Sequence, residues 1–455
     1  HHFSGNMRSY AQAIPTMDYV ENGVFYSMPI VLPDGSWGHY KQESDGDINK
    51  GADNLVAAAK TRTDQISKWD RLVASAFLQL DIAKGLTFKT IGSYNYFTKG
   101  YDGYTPYNPR TFGSKDRKDS YSINQNQNSE IALESFVNYD WSNAHHRVSA
   151  MAGFSISDTD GVWLNTSASD FPADNIRQIS LTNDPSSKNT NGGRDLKTRY
   201  QSYFGRLTYS LNDRYILTAT VRRDGSSNFG AGNRWGTFPS VAVGWRISEE
   251  DFFPKNTPIS NLKFRASWGR LGSESALGYY YAPTMSNSNT QWMSYIQGGN
   301  PWAGMSNLYL VNDDLRWETT DTKNIGFDFG LFNNKLSGSL NYYYNTTEDL
   351  LIEKVMPPSA GIYNPTVNVG KMVNKGFELE LNYGDNINGF DYNIGFNLST
   401  IHNEMLKADP NQVLYGSAWK GDGHFVTQTL KGYPVASFWL YQTDGIFQTD
   451  AEAAA

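Results

Sequence analysis

Apolar and polar residues alternate with a period of two over long stretches of this chain. In residues 203–211 the odd positions are apolar or glycine and the even positions are mostly polar, with Phe204 as the exception. The same parity resumes in residues 215–221, after the pair Asn212-Asp213. Alternation interrupted by a short turn is typical of a β-hairpin in which each strand has one apolar and one polar face.

Further strands follow from the same pattern. Hairpins are predicted at 72–80 with 86–96, 131–141 with 148–156, 325–331 with 336–344 and 377–383 with 392–398, and single strands at 240–247 and 262–271. These make roughly twelve or thirteen strands, each near the ~9–11 residues that a tilted strand needs to cross the hydrocarbon layer. Strands of soluble sheets are shorter, at about 5–6 residues. The predicted fold class is therefore all-β, a transmembrane antiparallel up-and-down β-barrel.

The connections between predicted strands are of two kinds. Short turns are predicted at Lys84-Gly85, Ser142-Asn143, Asn212-Asp213, Asn333-Asn334 and Gly384-Asp385, and long polar segments at 99–128, 157–199, 272–320, 346–374 and 403–434. In outer-membrane barrels the short turns are periplasmic and the long loops are extracellular. Residues 1–66 lack alternation and are interpreted as one more long extracellular loop region, and residues 67–455 as barrel strands with their loops.

Composition narrows the class of protein. Only 39% of the 455 residues are hydrophobic, and no apolar run reaches the ~18 residues of a membrane-spanning helix. A mean hydropathy of -0.55 is compatible with a barrel, because water-facing residues alternate with lipid-facing ones. The net charge of -7 without a basic cluster argues against nucleic acid as a partner, and the absence of cysteine excludes disulfides and thiolate chemistry.

Aromatic residues make up 14% of the chain and supply the candidate binding residues. Trp292, Tyr295, Trp302 and Trp419 lie in long predicted loops rich in Gly, Asn and Ser, a setting in which a ring can stack on a sugar or a peptide side chain. The alternative is that these rings pack beneath their own loops. Tryptophans at strand ends are instead typical of interfacial girdles; these are Trp69, Trp141 and Trp245.

Charged and histidine clusters give little indication of chemistry. Arg222, Arg223, Asp224 and Arg234 could hold an anionic ligand, but an Arg/Asp ladder that stabilises the wall is favoured. Residues 43–49 resemble a calcium loop in composition, yet Lys50 stands where such a loop needs glycine. His145-His146 falls in a predicted turn, and His402 lacks a second histidine at metal-binding spacing. No metal, no cofactor and no enzymatic activity are predicted, and a structural calcium ion in the loops or in a partner has no supporting motif.

Five ordered segments resemble the SusC-like family of TonB-dependent outer-membrane transporters. The first contains Arg222-Arg223-Asp224-Gly225 and continues through Arg234-Trp235, Pro239 and Trp245, which we assign as structural positions of the family motif. The segments are 214–248, 262–269, 315–319, 369–378 and 441–447.

The resemblance implies a barrel of about 22 strands with a plugged lumen, whose plug and last strands lie outside this chain. It also implies a SusD-like surface lipoprotein as a lid, a TonB complex acting on the plug, surrounding outer-membrane lipid, and an oligosaccharide or oligopeptide substrate. The predicted function is TonB-dependent import of a glycan or peptide nutrient in a bacterial outer membrane. The alternatives are a soluble or surface glycan-binding β-protein and a passive porin.

Overall fold

The computed structural model describes most of the chain between residues 64 and 440. The described residues are 18–21, 24–27, 64–105, 119–173, 176–195, 197–254, 256–274, 285–288, 294–297, 300–307, 310–357, 359, 364–409, 414–416, 418–419 and 424–440. No helix in these ranges is long and apolar enough to cross a membrane. Of the predicted loop region 1–66, only short pieces are described, so its extracellular placement stays a prediction.

Strands dominate the described residues, with 3₁₀ turns at Ile179–Leu181, Pro185–Ser187 and Ile247–Glu249. In chain order the strands are β1 Asp18–Glu21, β2 Val24–Ser27, β3 Asp64–Ala83, β4 Leu86–Thr105, β5 Ser120–Ser142, β6 His146–Ser169, β7 Asn189–Arg194, β8 Thr198–Leu211, β9 Tyr215–Ser226, β10 Trp235–Arg246, β11 Ile259–Ser273, β12 Met285–Ser288, β13 Ser294–Gln297, β14 Asn300–Asn307, β15 Glu318–Leu331, β16 Leu336–Glu348, β17 Leu351–Glu353, β18 Thr366–Asn368, β19 Lys371–Ile387, β20 Phe390–Ser399, β21 His402–Lys407, β22 Leu414–Tyr415, β23 Ala418–Trp419, β24 His424–Phe425, β25 Thr427–Thr429 and β26 Ser437–Phe438.

One sheet of 14 strands contains all the long strands. Its order is β20-β19-β16-β15-β11-β10-β9-β8-β6-β5-β4-β3, with β21 paired to β19 and β7 paired to β6. Each long strand thus lies beside the next long strand in the chain, and the registers described between them are antiparallel. This confirms the predicted all-β, up-and-down antiparallel fold class.

The chain divides into two compact units. The first comprises residues 1–74, 94–131 and 159–197. Its described core is built around the buried carboxylate of Asp119, which accepts from the Tyr104 hydroxyl at 2.8 Å and from the Phe171 backbone N–H at 2.9 Å. The rings of Tyr104 and Tyr121 meet Phe171 edge to face. The carboxylate therefore has hydrogen-bond donors that compensate for its loss of water.

The second unit comprises residues 75–93, 132–158 and 198–455, and its long strands have two distinct faces. In register, Leu207 pairs with Ala219 and Phe327 pairs with Leu340, so the predicted parities align across neighbouring strands. We call one side the apolar face; its exposed members are Leu207, Leu217, Val221, Val241, Val243, Ile325, Phe327, Leu340, Phe377, Ile394, Phe396 and Leu398. The polar face carries Thr208, Thr218, Ser240, Asn324, Ser339, Asn341, Glu378, Glu380 and Asn382. An extended exposed apolar face is what a strand wall presents to hydrocarbon.

Several strands are longer than the pattern predicts. β6 runs to Ser169 and pairs there with β7, with Trp163 opposite Gly193, although residues 157–199 were expected to be a loop. All five long polar segments contain strand residues. The expectation is wrong because alternation marks only the part of a strand that has an apolar face. Backbone pairing continues past that part, where β7 is exposed at every residue.

One predicted turn is also wrong. β19 passes through Gly384-Asp385 and ends at Ile387, with Gly384 opposite Asn393. The turn lies at Asn388-Gly389, where φ is +53° and +86°. Asn-Gly is the pair that favours positive φ at both central residues of a tight hairpin turn, so it places the turn. The other four predicted turns lie at or directly beside observed strand junctions.

Candidate functional site

A group of charged side chains lies on the polar face of β11, β15 and β16. Nη2 of Arg265 lies 2.7 Å from Oδ1 of Asp328 and donates to Oδ1 of Asn341 at 3.0 Å. Lys263, the register partner of Asp328, lies 3.9 Å from the other carboxylate oxygen. Nε of Arg265 is buried without a hydrogen-bond partner in the described residues. Because two cations share one carboxylate, these side chains together carry a net positive charge.

A cavity of about 190 Å³ adjoins this group on the polar face. Ala242, Gly244 and Ser267 line it, and their small side chains leave room beside Lys263 and Arg265. Cavities that bind whole small molecules are larger, at about 300–1,000 Å³. This cavity can therefore hold one side chain or one polar substituent of a longer ligand.

A larger cavity of about 550 Å³ lies at the short-turn end of the polar face. It is lined by residues of the β15–β16 and β19–β20 hairpins, including Lys335 and Asp385, whose Nζ and Oδ1 are 2.7 Å apart. A second pair there joins Asn386 Nδ2 to Asp391 Oδ1 at 2.6 Å. The first contact ties the two hairpin ends together and the second closes the β19–β20 hairpin, so we assign both to the wall and not to ligand binding.

The family-motif residues of β9 and β10 are engaged with one another. Arg222 donates through Nε to Asp224 at 2.7 Å and through Nη2 to Ser202 at 3.0 Å, and its guanidinium lies over the Phe204 ring. Phe204 and Phe238 are its register partners on β8 and β10. Phe204, the one aromatic residue at an even position in 203–211, thus lies on the polar face, where the Arg222 guanidinium covers its ring. Through these contacts Arg222 links β9 to β8, and its assignment as a structural position of the family motif stays a prediction.

The neighbouring motif residues pack on the other face. Arg223 lies over the Trp235 ring at 5.3 Å, and that ring stacks on Tyr203 at 6.0 Å between centroids. Gly225 is opposite Trp235 in register, and a Cβ on Gly225 would come 3.0 Å from the indole ring. A side chain at this position would therefore require the Trp235 ring to shift, and glycine allows the close approach without that shift. Pro239 continues the same strand opposite Val221.

The loop that joins β9 to β10 packs against β10 and the segment that precedes β15, in a cluster that we call the knot and define as Phe229, Arg234, Phe238, Leu315 and Trp317. Phe229 and Leu315 are fully buried. The Trp317 ring packs on Phe229 at 5.0 Å and on Phe238 at 5.6 Å. Arg234 Nε donates to the Phe229 carbonyl at 3.2 Å, and Trp317 Nε1 donates to the Arg234 carbonyl at 3.1 Å. Through these hydrogen bonds exposed Arg234 joins the β9–β10 loop to Trp317, and its assignment as a structural position stays a prediction.

An ion pair holds the adjoining loop segments. Arg316 donates to both carboxylate oxygens of Asp349, at 3.0 and 2.7 Å, and these hydrogen bonds raise the pKa of the guanidinium. Asn368 exchanges hydrogen bonds with the backbone of Arg316 at 2.9 and 2.7 Å. The Leu315-Arg316-Trp317 segment is thus fixed on both sides.

Glu250 organises the opposite end of β9 and β10. Its carboxylate is buried and accepts from the Tyr215 hydroxyl and from Trp245 Nε1 at 2.9 Å, with Arg214 Nη1 at 3.4 Å. The Tyr215 hydrogen bond, followed by that of Trp245, lowers the pKa of Glu250. Trp245 and Tyr215 lie on the apolar side of their strands at the short-turn end. Glu250 accepts from the polar atoms of both rings, and membership of Trp245 in an interfacial girdle stays a prediction.

We expect Glu250→Gln to make barrel stability less dependent on pH. The folded-state pKa lies below the ordinary value of about 4.3, so the ionised carboxylate stabilises the fold above that value and the stabilisation is lost as pH falls through the lowered pKa. Urea unfolding of the full-length protein in lipid vesicles should show a larger drop between neutral and acidic pH in the wild type than in the variant. Equal drops would show that this carboxylate is not coupled to folding.

The structure places the four candidate aromatic residues as follows. Tyr295 on β13 and Trp302 on β14 are register partners, so the backbone brings these two positions together. Trp419 lies on β23, opposite His424 on β24, in a separate two-stranded sheet. Trp292 lies outside the described residues. Their part in binding stays a prediction.

Three histidines of the described residues have local partners. His145 Nδ1 is 2.8 Å from Asn212 Oδ1, His146 Nδ1 is 2.8 Å from the Tyr209 hydroxyl, and His402 is 3.5 Å from Glu404. No group of three or more potential metal ligands occurs among the residues that the structure describes. Residues 43–49, with their calcium-like composition, fall outside that part.

Sequence reasoning did not single out Lys263, Arg265, Asp328 and Asn341 as a group. Each lies on the polar parity of its strand, which is the available signal. Their convergence depends on the registers of β11 with β15 and of β15 with β16. A single sequence does not specify those registers across loops as long as 272–320.

Comparison with known proteins identifies relatives of one kind. The sequence model of the family described as "TonB dependent receptor-like, beta-barrel" matches residues 23–439. TonB-dependent receptor P3 of Formosa agariphila is 29% identical over 425 residues, which cover 90% of this chain and 40% of that protein. TonB-dependent receptor SusC of Bacteroides thetaiotaomicron is 36% identical over 250 residues, covering 53% of this chain and 25% of SusC.

Solved structures agree in fold. A structure of the RagAB peptide transporter superimposes with a TM-score of 0.73 at 24% identity, covering 85% of this chain and 41% of that chain. The RagAB peptide importer in its open-open state gives a TM-score of 0.71 at 22% identity and covers 93% of this chain. The chain spans about 40% of the length of the P3 and RagAB proteins that it matches.

Proposed function

Since this chain belongs to the TonB-dependent receptor-like β-barrel family, we propose that it forms the barrel wall of an importer that takes up a nutrient by TonB-dependent transport. The chain is SusC-like and lies in the bacterial outer membrane. The family assignment concerns this chain, and the proposed activity is that of the longer protein to which it corresponds. No covalent step is part of it.

The observation that carries the proposal is the two-faced wall of the second unit. Its apolar face is exposed over several neighbouring strands, and its polar face bears hydrogen-bonding and charged groups. A wall with this polarity separates lipid from a water-filled or protein-filled interior. A soluble glycan-binding β-protein would instead have to cover or avoid so large an apolar surface.

The proposed cargo is an oligosaccharide or an oligopeptide. The resemblance to the SusC-like family implies these two classes, and the RagAB relative is a peptide transporter. Arg265, Asp328 and Asn341 offer both donors and acceptors, which suits hydroxyl groups and backbone amides alike. We further propose a SusD-like surface lipoprotein as the partner that covers the extracellular opening.

A single-nutrient growth screen tests the proposal. The gene for the full-length protein is deleted, and the strain is grown on individual oligosaccharides and on oligopeptides as sole sources. We expect growth to be lost on one of these classes and restored by the wild-type gene. Undiminished growth on every nutrient of both classes, with related importers also deleted, would contradict the proposed import.

Replacing Trp302 or Trp419 by alanine should weaken cargo capture. Loss of an aromatic anchor in a binding surface costs about 2 kcal/mol or more at a dominant position, so we expect the apparent uptake affinity to fall by at least tenfold. The matched control is Trp141→Ala, a tryptophan of β5 at the short-turn end. Equal amounts of each variant in the outer membrane must be shown by surface labelling. Unchanged affinity in both loop variants would remove Trp302 and Trp419 from the site.

A further inference from the structure

A row of directly paired residues crosses five strands on the apolar side of the wall. Trp268 of β11 pairs with Lys323 of β15, Lys323 with Tyr344 of β16, Tyr344 with Lys375 of β19, and Lys375 with His402 of β21. We call these five residues the cation–aromatic row. Aromatic and basic side chains alternate along it.

The row marks the border at which the apolar face ends. Two residues closer to the short turns, the paired positions are Ala266, Ile325, Tyr342 and Phe377. Two residues closer to the long loops, they are Arg270, Asp321, Thr346 and Val373. The row therefore lies where strands leave the hydrocarbon on the side of the long loops, which is the extracellular side in such barrels.

The two lysines differ from the cations beyond them in having no carboxylate partner. Arg270 is held by both oxygens of Asp321 at 2.8 Å, and Lys371 is held by Glu348 at 2.6 Å. Among the residues that the structure describes, neither Lys323 nor Lys375 has an ion pair. Lys323 is exposed, and its Nζ lies 5.8 Å from the centroid of the Tyr344 ring. Lys323 and Lys375 thus place positive charge without a contacting carboxylate beside lipid-facing aromatic residues, while Asp321 acts on Lys323 from a distance and His402 has Glu404 at 3.5 Å.

We propose that the cation–aromatic row binds the phosphate groups of an anionic lipid in the outer leaflet. Lysine side chains at such a border extend along apolar surface and place the ammonium at headgroup depth. Aromatic rings with polar edges occupy the same depth. Lys323 and Lys375 are two strands apart, about 10 Å from strand spacing alone, so they reach separate phosphates. The apolar rows next to them receive the acyl chains of the same lipid.

Native mass spectrometry of the full-length protein in detergent tests this inference. The probes are diphosphorylated lipid A, its dephosphorylated form and inorganic phosphate. We expect the diphosphorylated lipid to bind, and the variant Lys323→Gln/Lys375→Gln to bind it at least tenfold more weakly, from about fivefold for each lysine near an anionic surface. Lys323→Arg/Lys375→Arg should retain binding because it keeps both charges.

A control variant removes the same charge elsewhere. Lys84 in a short turn and Lys354 after β17 are both exposed, and Lys84→Gln/Lys354→Gln should leave binding unchanged. Folding of every variant is checked by its heat-dependent shift in gel mobility. Equal binding of the dephosphorylated lipid, wild-type binding by the Lys323/Lys375 glutamine variant, or displacement of the lipid by inorganic phosphate would each overturn the proposal.

Discussion

Phe229→Ala is expected to lower the free energy of unfolding by about 3–5 kcal/mol, the range for removing a fully buried phenylalanine. Phe229 is fully buried in the knot, and the Trp317 ring packs on it at 5.0 Å. Its removal leaves a cavity that the knot is poorly able to close, because Arg234, Arg316 and Asn368 fix the surrounding backbone. Urea unfolding of the refolded full-length protein in lipid vesicles measures the change.

The matched control for this prediction is Phe332→Ala. Phe332 lies in the short turn between β15 and β16 and is 56% exposed. An exposed substitution of this kind changes stability by about 0.5 kcal/mol or less. If both variants unfold at the same urea concentration as the wild type, the knot does not contribute to stability and its packing has another role.

Gly376→Ala is expected to destabilise the wall by about 3 kcal/mol, at the upper end of typical overpacking effects. A Cβ at Gly376 would overlap the backbone carbonyl oxygen of Thr400 and come 2.8 Å from the Tyr343 hydroxyl. That hydroxyl already donates to the same carbonyl at 3.0 Å. The backbone between β20 and β21 would have to shift, since no flexible side chain can yield. The yield of heat-resistant folded protein and its urea midpoint should both fall.

Gly92→Ala is the control within a strand. Gly92 lies in β4, and a Cβ there would meet no atom within 4 Å. We expect its stability to be unchanged or higher by up to about 1 kcal/mol, because alanine restricts the unfolded chain. Equal destabilisation by both substitutions would show that the effect reflects strand glycines in general and not the contact with Thr400.

The sequence predicts the wall well where one face is apolar. In 203–211, 215–221 and 325–331 the predicted apolar positions lie on the observed apolar face. Such strands are predictable because a shift of one residue would turn every apolar side chain to the polar face. The extensions of β4, β5 and β6 are missed since apolar and polar residues do not alternate regularly there; Val162, Trp163 and Leu164 of β6, for example, are consecutive. The turn after β19 is missed because Gly384-Asp385 resembles a turn while Asn388-Gly389 adopts one.

Contacts between distant segments are less accessible to sequence reasoning. The resemblance brings out 214–248 and 315–319 as separate motifs, but only the structure shows Trp317 packed on Phe229 and Phe238. The candidate binding residues show a second limit of prediction from sequence. Composition selects long loops as binding segments, yet the pairing of Tyr295 with Trp302 depends on a hairpin in which alternation is absent.

Energy coupling is the central feature of the proposed activity, and it separates the importer from a passive porin. Uptake of the nutrient found by the growth screen is measured at low concentration in cells with and without the inner-membrane TonB complex, with equal amounts of the protein in the outer membrane. Because import through a plugged barrel requires energy from that complex, we predict that uptake falls to background when the complex is absent. Uptake that continues at an undiminished rate without it would contradict the account.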